Sequence, residues 1–216
     1  MTIVSLQPEK SGREGTFRVE FSNGSSFLFV SDYLPEGFDP VFLRKSEQFY
    51  GEEPASRELA AGDEEAFCFA AACYRAEKAA LRLIARAEQN SPGLTVKLER
   101  RGYDTAVAKA VVSGLLDRNL LDDRRYAELW IRSRLSTKKV LSPRRLLVSL
   151  AKRGIYRASS LEAMKTVLDE ETEFILLLQY VEKVKPQISK KAISIKNQLK
   201  NEGFSLIVID RYLDTF

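Results

Sequence analysis

A pattern that recurs three times constrains the fold of this chain most strongly. Residues 98–103 read Leu-Glu-Arg-Arg-Gly-Tyr, and a leucine, three further residues, a glycine and an apolar residue return at 150–155 and 199–204. The glycines, Gly102, Gly154 and Gly203, follow each other at 52 and 49 residues. A helix that ends on a left-handed glycine, with the next apolar residue folded back on its last turn, has this pattern.

The flanks of the pattern repeat as well. Ser91-Pro92 and Ser142-Pro143 each resemble an N-cap serine with proline at the first helical position, and Ser189 is a weaker third counterpart. Apolar residues recur 23 and 19 positions before each glycine and 9, 10 and 13 positions after it, which is helical spacing. These patterns therefore predict three helices in each unit. The predicted fold is mainly α: three tandem three-helix repeats in an elongated curved array, preceded by a small N-terminal antiparallel β element.

The N-terminal residues have a different pattern. Residues 16–21 alternate apolar and polar side chains as a half-buried strand does, 22–25 contain an Asn-Gly turn, and 27–30 supply the returning strand. Residues 3–6 are a candidate third strand, and 41–49 a candidate short helix. We expect the phenylalanines of this sheet to form core rather than a binding face. The predicted divisions are 1–65, 66–118, 119–170 and 171–216, the last three being the repeats.

Positive charge is concentrated in the middle of the chain. Residues 101–160 contain 14 Lys and Arg against 5 Asp and Glu, a net charge of +9, whereas 1–100 carry −4 and 161–216 carry −1. A solvated helix face normally mixes its signs. The basic segment is therefore a candidate surface for a polyanion or an acidic protein, although ordinary solvent-facing helix residues are the alternative.

Several classes of site are disfavoured by composition. The chain contains no histidine, which removes His-assisted nucleophiles and HExxH zinc sites, and it contains neither GxxxxGK[ST] nor GxGxxG. We expect no cofactor and no metal. Cys68 and Cys73 lie in an alanine-rich run and are expected to be reduced and buried. No apolar run approaches the roughly 20 residues that cross a bilayer, and no signal peptide is evident, so we expect a cytoplasmic protein without membrane contact.

Asp122 and Asp123 allow two interpretations. They could be a magnesium ligand pair of a nuclease, or an N-cap followed by a favourable charge at a helix start. We favour capping, because no further acid recurs nearby.

The candidate binding residues follow from the basic segment. Tyr126, Ala127, Trp130 and Ile131 have the spacing of a core face, although Trp130, the only tryptophan, could instead stack on a base. The basic residues around and after this face are candidates for phosphate or carboxylate contacts. They are Arg124, Arg125, Arg132, Arg134, Lys138, Lys139, Arg144, Arg145, Lys152 and Arg153.

The middle unit resembles the RecX family of RecA regulators. The resemblance rests on residues 114–127, including Asn119-Leu-Leu-Asp-Asp-Arg-Arg-Tyr-Ala127, on 130–134 and on 146–155. It extends more loosely over 70–216. Asn119-Leu120 stands where that family often has Gly-Tyr.

This resemblance implies the three-repeat fold and a partner, the RecA filament, with the regulator lying along the filament groove. It also implies weak, sequence-nonspecific DNA contact, preferentially with a single strand. We therefore expect a non-enzymatic, monomeric regulator of homologous recombination that inhibits filament extension, ATP turnover and strand exchange. The main alternative is a helix-turn-helix transcription regulator, since the turns at Gly102 or Gly154 could precede a recognition helix. A carboxylate-dependent nuclease is a third possibility.

Overall fold

The chain forms two compact units. The computed structural model describes residues 2–35, 57–58, 61–137, 140–184 and 192–215. One unit comprises Met1–Ala87 with Leu94–Leu120, and the other comprises Glu88–Gly93 with Leu121–Phe216. The predicted helix at 41–49 lies outside the described residues.

The first unit begins with an antiparallel sheet. Its strands are β1 (Thr2–Pro8), β2 (Thr16–Phe21), β3 (Ser26–Val30) and the two-residue β4 (Arg57–Glu58), in the order β3-β2-β1-β4. The predicted Asn-Gly turn joins β2 to β3: Gly24 has φ +79°, and Asn23 Oδ1 accepts the Ser25 N–H at 2.9 Å. The predicted third strand is β1, which lies between β2 and β4.

The sheet is stabilised by the helix that follows it, α1 (Ala61–Ile84). Phe21 and Phe29 are buried, and the Phe29 ring meets the Phe67 ring of α1 edge-on at 5.0 Å. Val19 is also fully buried. These phenylalanines are therefore core residues, as expected, because a small sheet needs a packed face to be stable.

The two cysteines of α1 differ in environment. Both are free thiols, and Cys73 is buried, but Cys68 is exposed. The expectation that both are buried is therefore wrong for Cys68. Positions five apart on a helix point about 140° apart, so one apolar stripe does not hold both side chains.

The predicted nine helices of the three repeats are all present within the described residues. The first repeat contains α1, α2 (Ser91–Glu99) and α3 (Thr105–Asp117). The second contains α4 (Asp123–Leu135), α5 (Pro143–Ala151) and α6 (Arg157–Val167). The third contains α7 (Glu170–Val184), α8 (Ala192–Asn201) and α9 (Leu206–Leu213). The boundaries of the four predicted divisions of the chain remain predictions. No helix in the described residues has the length and apolarity that a bilayer crossing requires.

The three repeat glycines end their helices as predicted. Gly102, Gly154 and Gly203 have φ of +87°, +77° and +87°. In each case the glycine N–H donates to the carbonyl three residues earlier, and the next N–H donates to the carbonyl five residues earlier. This is the Schellman motif, which satisfies carbonyls at the helix end. The apolar residues that follow, Ile155 and Phe204, are buried.

Asn119 makes a fourth turn of this kind after α3. Its φ is +54°, its N–H donates to the Leu116 carbonyl at 2.9 Å, and the Leu120 N–H donates to the Leu115 carbonyl at 3.0 Å. Asparagine thus takes the left-handed position without glycine, which its short polar side chain tolerates.

The second unit is organised around one apolar cluster. Most predicted helix-face positions contribute to it. The buried ones are Ile131 on α4, Tyr180 on α7, and Ala163, Met164 and Val167 on α6. In the third repeat, Tyr212 and Leu213 are only partly buried. The side chains of Val184 and Phe216 lie outside the described residues.

The turn at Gly154 packs against the start of α2. A Cβ added to Gly154 would lie 2.9 Å from Pro92 Cβ, so no larger residue fits without a shift. Asn90 Nδ2 donates to the Arg153 carbonyl beside this glycine at 2.8 Å. The Ser-Pro start of the second helix of one repeat therefore contacts the glycine turn of the next repeat.

The same junction recurs between the second and third repeats. A Cβ added to Gly203 would lie 3.2 Å from the Arg144 backbone nitrogen, which donates to the Glu202 carbonyl at 2.9 Å. Ser142, the N-cap of α5, donates from Oγ to Glu202 Oε2 at 2.5 Å. Two successive junctions thus use equivalent positions of the repeat.

Candidate nucleic-acid and partner interface

The start of α4 is fixed by the paired acids. Asp122 is the N-cap, and its Oδ1 accepts the N–H groups of Arg124 and Arg125 at 2.8 and 3.0 Å. Asp123 accepts the Ser91 N–H at 2.7 Å and the Ser91 hydroxyl at 2.5 Å. The capping interpretation is confirmed for Asp122. Among the described residues, no group of three or more His, Cys, Asp and Glu side chains could hold a metal ion.

Arg124 is held by acids of its own unit. Its Nε donates to Glu128 Oε1 at 3.0 Å, one turn along α4, and its Nη1 lies 3.7 Å from Glu162 Oε2 on α6. Its Nη2 also donates to Thr166 Oγ1 at 3.2 Å. Much of the positive charge at this position is therefore compensated inside the chain.

Arg125 is compensated in the same way. Its Nη2 lies 2.8 Å from Glu88 Oε1, and its Nε donates to the same oxygen at 3.0 Å. That hydrogen bond raises the pKa of Arg125 above its ordinary value, with the negative charges of Glu88 and Asp122 adding to the effect. Arg124 and Arg125 are thus less available to an external anion than the sequence indicates.

Arg134 and Arg153 come together at Trp130. Their guanidinium carbons lie 5.1 and 4.6 Å from the centre of the indole ring, within the range of cation–π attraction. The ring itself is partly buried against the apolar cluster of the second unit. Trp130 is therefore both a core residue, as favoured from its spacing, and the support of two cationic groups.

Arg132, Arg145 and Lys152 are exposed and form no ion pair within the described residues. Arg132 lies near Asp169, whose pKa is lowered mainly by hydrogen bonds from Thr172 and, to a smaller extent, by the charge of Arg132. Within the described residues, these three exposed side chains therefore differ from Arg124 and Arg125, which are paired with carboxylates.

Arg144 is partly used by the junction between repeats. Its backbone nitrogen binds the Glu202 carbonyl, and its Nη1 donates to the Asn201 carbonyl at 3.4 Å. Burial of the phenol and the charge of Glu202 raise the pKa of Tyr180. The positive charge of Arg145, the residue after Arg144, opposes this shift in part. Lys138 and Lys139 lie outside the described residues.

Sequence reasoning missed the internal acids that neutralise part of the basic set. The partner Glu128 is detectable, since it lies four residues after Arg124 on one helix. Glu88 and Glu162 are 37 and 38 residues from their arginines, so no local pattern identifies them. The binding role of the ten basic residues named from the sequence remains a prediction.

Known proteins resemble this chain over much of its length. No model of a protein family matches it. Regulatory protein RecX of Treponema pallidum is 37% identical over 120 residues, which span 56% of this chain and 73% of that protein. Regulatory protein RecX of Halorhodospira halophila is 39% identical over 85 residues, 39% of this chain and 52% of that protein.

Solved structures support the same fold. A crystal structure of regulatory protein RecX matches with a TM-score of 0.59 at 17% identity, covering 99% of this chain and 98% of that chain. RecX from Lactobacillus salivarius matches with a TM-score of 0.50 at 22% identity, covering 67% of this chain and 96% of that chain. At these identities the structural likeness shows the fold alone.

Proposed function

This chain belongs to the RecX family, and we propose that it is a non-enzymatic regulator that binds the RecA filament and inhibits its extension, ATP turnover and strand exchange. The observation that carries the proposal is the 37% identity over 73% of a relative named as a regulatory protein. The protein acts in the cytoplasm, as a monomer, on the filament groove.

The charge of the second unit supports a polyanionic or acidic partner. Arg132, Arg145 and Lys152 are exposed, and within the described residues none of them forms an ion pair. Such groups attract a partner at long range and lose that attraction as salt screens them. The DNA contact is weak, independent of sequence and preferentially with a single strand.

The engagement of the paired acids supports the non-enzymatic part of the proposal. Asp122 is occupied by two backbone N–H groups and Asp123 by Ser91. Both acids thus have a structural role, Asp122 as the N-cap of α4 and Asp123 as the acceptor of the Ser91 donors.

The proposal is tested with the full chain added to RecA filaments formed on single-stranded DNA. We expect bound protein in a pull-down at low salt, lower ATP turnover and slower strand exchange, with all three effects weakening as salt rises. A protein that neither binds the filament nor changes ATP turnover or strand exchange at low salt would contradict it.

The helix-turn-helix alternative makes a different prediction about DNA. A sequence-specific reader binds a defined duplex site orders of magnitude more tightly than random duplex, about 10³-fold or more. Selection from a random duplex library separates the two functions. The proposed regulator enriches no sequence, whereas the alternative enriches one motif.

A further inference from the structure

The cluster of Trp130, Arg134 and Arg153 has the properties of a binding site. Two guanidinium groups lie within 4.6 and 5.1 Å of the centre of one ring, and within the described residues no carboxylate is paired with either. Two like charges that share one ring in this way lie no more than about 9.7 Å apart and repel each other. An anion bound at the cluster would reduce that repulsion.

Buried donors in the same cluster lack acceptors. Trp130 Nε1 and Arg134 Nε are shielded from solvent and have no hydrogen-bond partner among the described residues. A buried donor without an acceptor is rare in folded proteins, and a water, an ion or a ligand usually satisfies it. Arg153 uses one donor internally, because its Nη1 donates to the Ser149 carbonyl at 2.8 Å.

The side chains are held in place for binding. Attraction to the ring fixes each guanidinium and leaves donors in its plane, a geometry that suits a phosphate or a carboxylate. One further cation, Lys152, is next to Arg153 in the sequence and is exposed. Arg132, two residues before Arg134 on α4, points to the other side of that helix. A chain with one phosphate per nucleotide could meet the cluster and Lys152 in succession.

We propose that Trp130, Arg134 and Arg153 bind a phosphodiester of a single-stranded nucleic acid, with Lys152 contacting a neighbouring phosphate. This inference rests on the proposed function and assigns its DNA contact to one site. Because both guanidiniums use the ring, the nucleic acid is held through its backbone, and binding shows little preference among bases.

Trp130 provides a direct readout, because it is the only tryptophan of the chain. We expect a short oligothymidylate to change its fluorescence at low salt, with a midpoint that matches anisotropy of a labelled oligonucleotide. Arg153→Gln and Arg134→Gln should each weaken binding about tenfold. Each should also lower the slope of log affinity against log salt by about 0.7, the value for one phosphate on a single strand.

Lys165→Gln is the matched control, since Lys165 is exposed on α6 of the same unit and its substitution removes the same charge. It should leave the affinity within about twofold, as expected for a charge outside the contact surface. Arg153→Lys keeps the charge but not the planar fork, and should bind between the native protein and Arg153→Gln. Circular dichroism confirms that each variant is folded.

Oligothymidylate affinity that is unchanged in both glutamine variants would overturn the inference. A fluorescence change with poly-L-glutamate but not with oligothymidylate would also overturn it, and would assign the cluster to an acidic protein surface. The RecA assays are read separately. Normal inhibition without oligonucleotide binding rejects this inference and the proposed DNA contact but leaves the inhibition of RecA standing. Oligonucleotide binding without any effect on RecA rejects the inhibition and leaves this inference standing.

Discussion

The three repeat glycines share a left-handed backbone but differ in their surroundings. A Cβ on Gly154 would meet the Pro92 ring at 2.9 Å, whereas a Cβ on Gly102 would find no described atom within 4 Å. The backbone conformation is thus a property of the helix end. The need for a residue without a Cβ at Gly154 instead arises from its contact with Pro92 at the junction between repeats.

Replacement of these two glycines by alanine separates the two effects. We expect Gly102→Ala to lower the free energy of unfolding by about 1 kcal/mol, the cost of a left-handed alanine. Gly154→Ala should lower it by about 2–4 kcal/mol, since the Pro92 contact adds overpacking. Urea unfolding followed by circular dichroism measures both. Equal losses in the two variants would show that the Pro92 contact adds nothing.

The two thiols of α1 should differ in reactivity. Burial, with the negative charge of Glu77 as a smaller cause, raises the pKa of Cys73 to about 12, whereas Cys68 is exposed. Only thiolates react rapidly, so a thiol reagent at pH 8 should modify one cysteine per native chain and both in urea. Cys68→Ser should abolish the fast native reaction. Two equally fast thiols in the native protein would contradict this assignment.

At the level of elements, one buried carboxylate joins four parts of the first unit. Glu77 of α1 accepts hydrogen bonds from Tyr33 in the turn after β3 at 2.6 Å and from Arg118 after α3 at 3.0 Å. Arg13, from the loop between β1 and β2, lies 3.1 Å from the same carboxylate. The sheet is therefore tied to the first repeat by a polar network as well as by its phenylalanines.

Removal of the Glu77 charge should be costly. Glu77→Gln leaves Arg13 and Arg118 without their shared anion, and we expect a loss of about 3 kcal/mol in the free energy of unfolding. Glu88→Gln, which breaks the half-exposed pair with Arg125, should lose less than about 1 kcal/mol. Urea midpoints of the two variants provide the comparison. A loss at Glu77 no larger than that at Glu88 would show that the network contributes little.

For the whole molecule, internal ion pairs separate the basic residues whose charge is compensated from those whose charge is exposed. Arg124 and Arg125 are paired with acids of the second unit, whereas Arg132 and Arg145 are exposed without ion pairs among the described residues. Net charge by itself does not make this distinction.

Two double variants with the same change in charge test this point. Arg132→Gln with Arg145→Gln should weaken filament binding about tenfold, since two exposed contacts of about 0.7 kcal/mol each are lost. Arg124→Gln with Arg125→Gln should weaken it less, because internal carboxylates already neutralise those groups. Sedimentation with filaments at constant salt measures both. A larger effect of the second pair would reverse the assignment.

Local chemistry made most of the helical fold predictable. Leu98, Leu150 and Leu199, with their glycines, mark helix ends because the hydrogen bonds of that motif close within six residues. The Ser142 cap and the strands around Asn23-Gly24 were predictable for the same reason. The cysteines show the limit: both lie in one alanine-rich run, but the position of the sheet and the neighbouring helices decides which of them is buried.

The repeat, its helix ends and the concentration of positive charge were therefore determined by the sequence alone, since each depends on residues close together in the chain. Only the tertiary structure decided which of those charges are available. Glu88 and Glu162 reach their arginines from 37 and 38 residues away, and Arg134 of α4 and Arg153 of the turn after α5 reach one indole. Charge compensation depends on distances through space, and folding sets those distances.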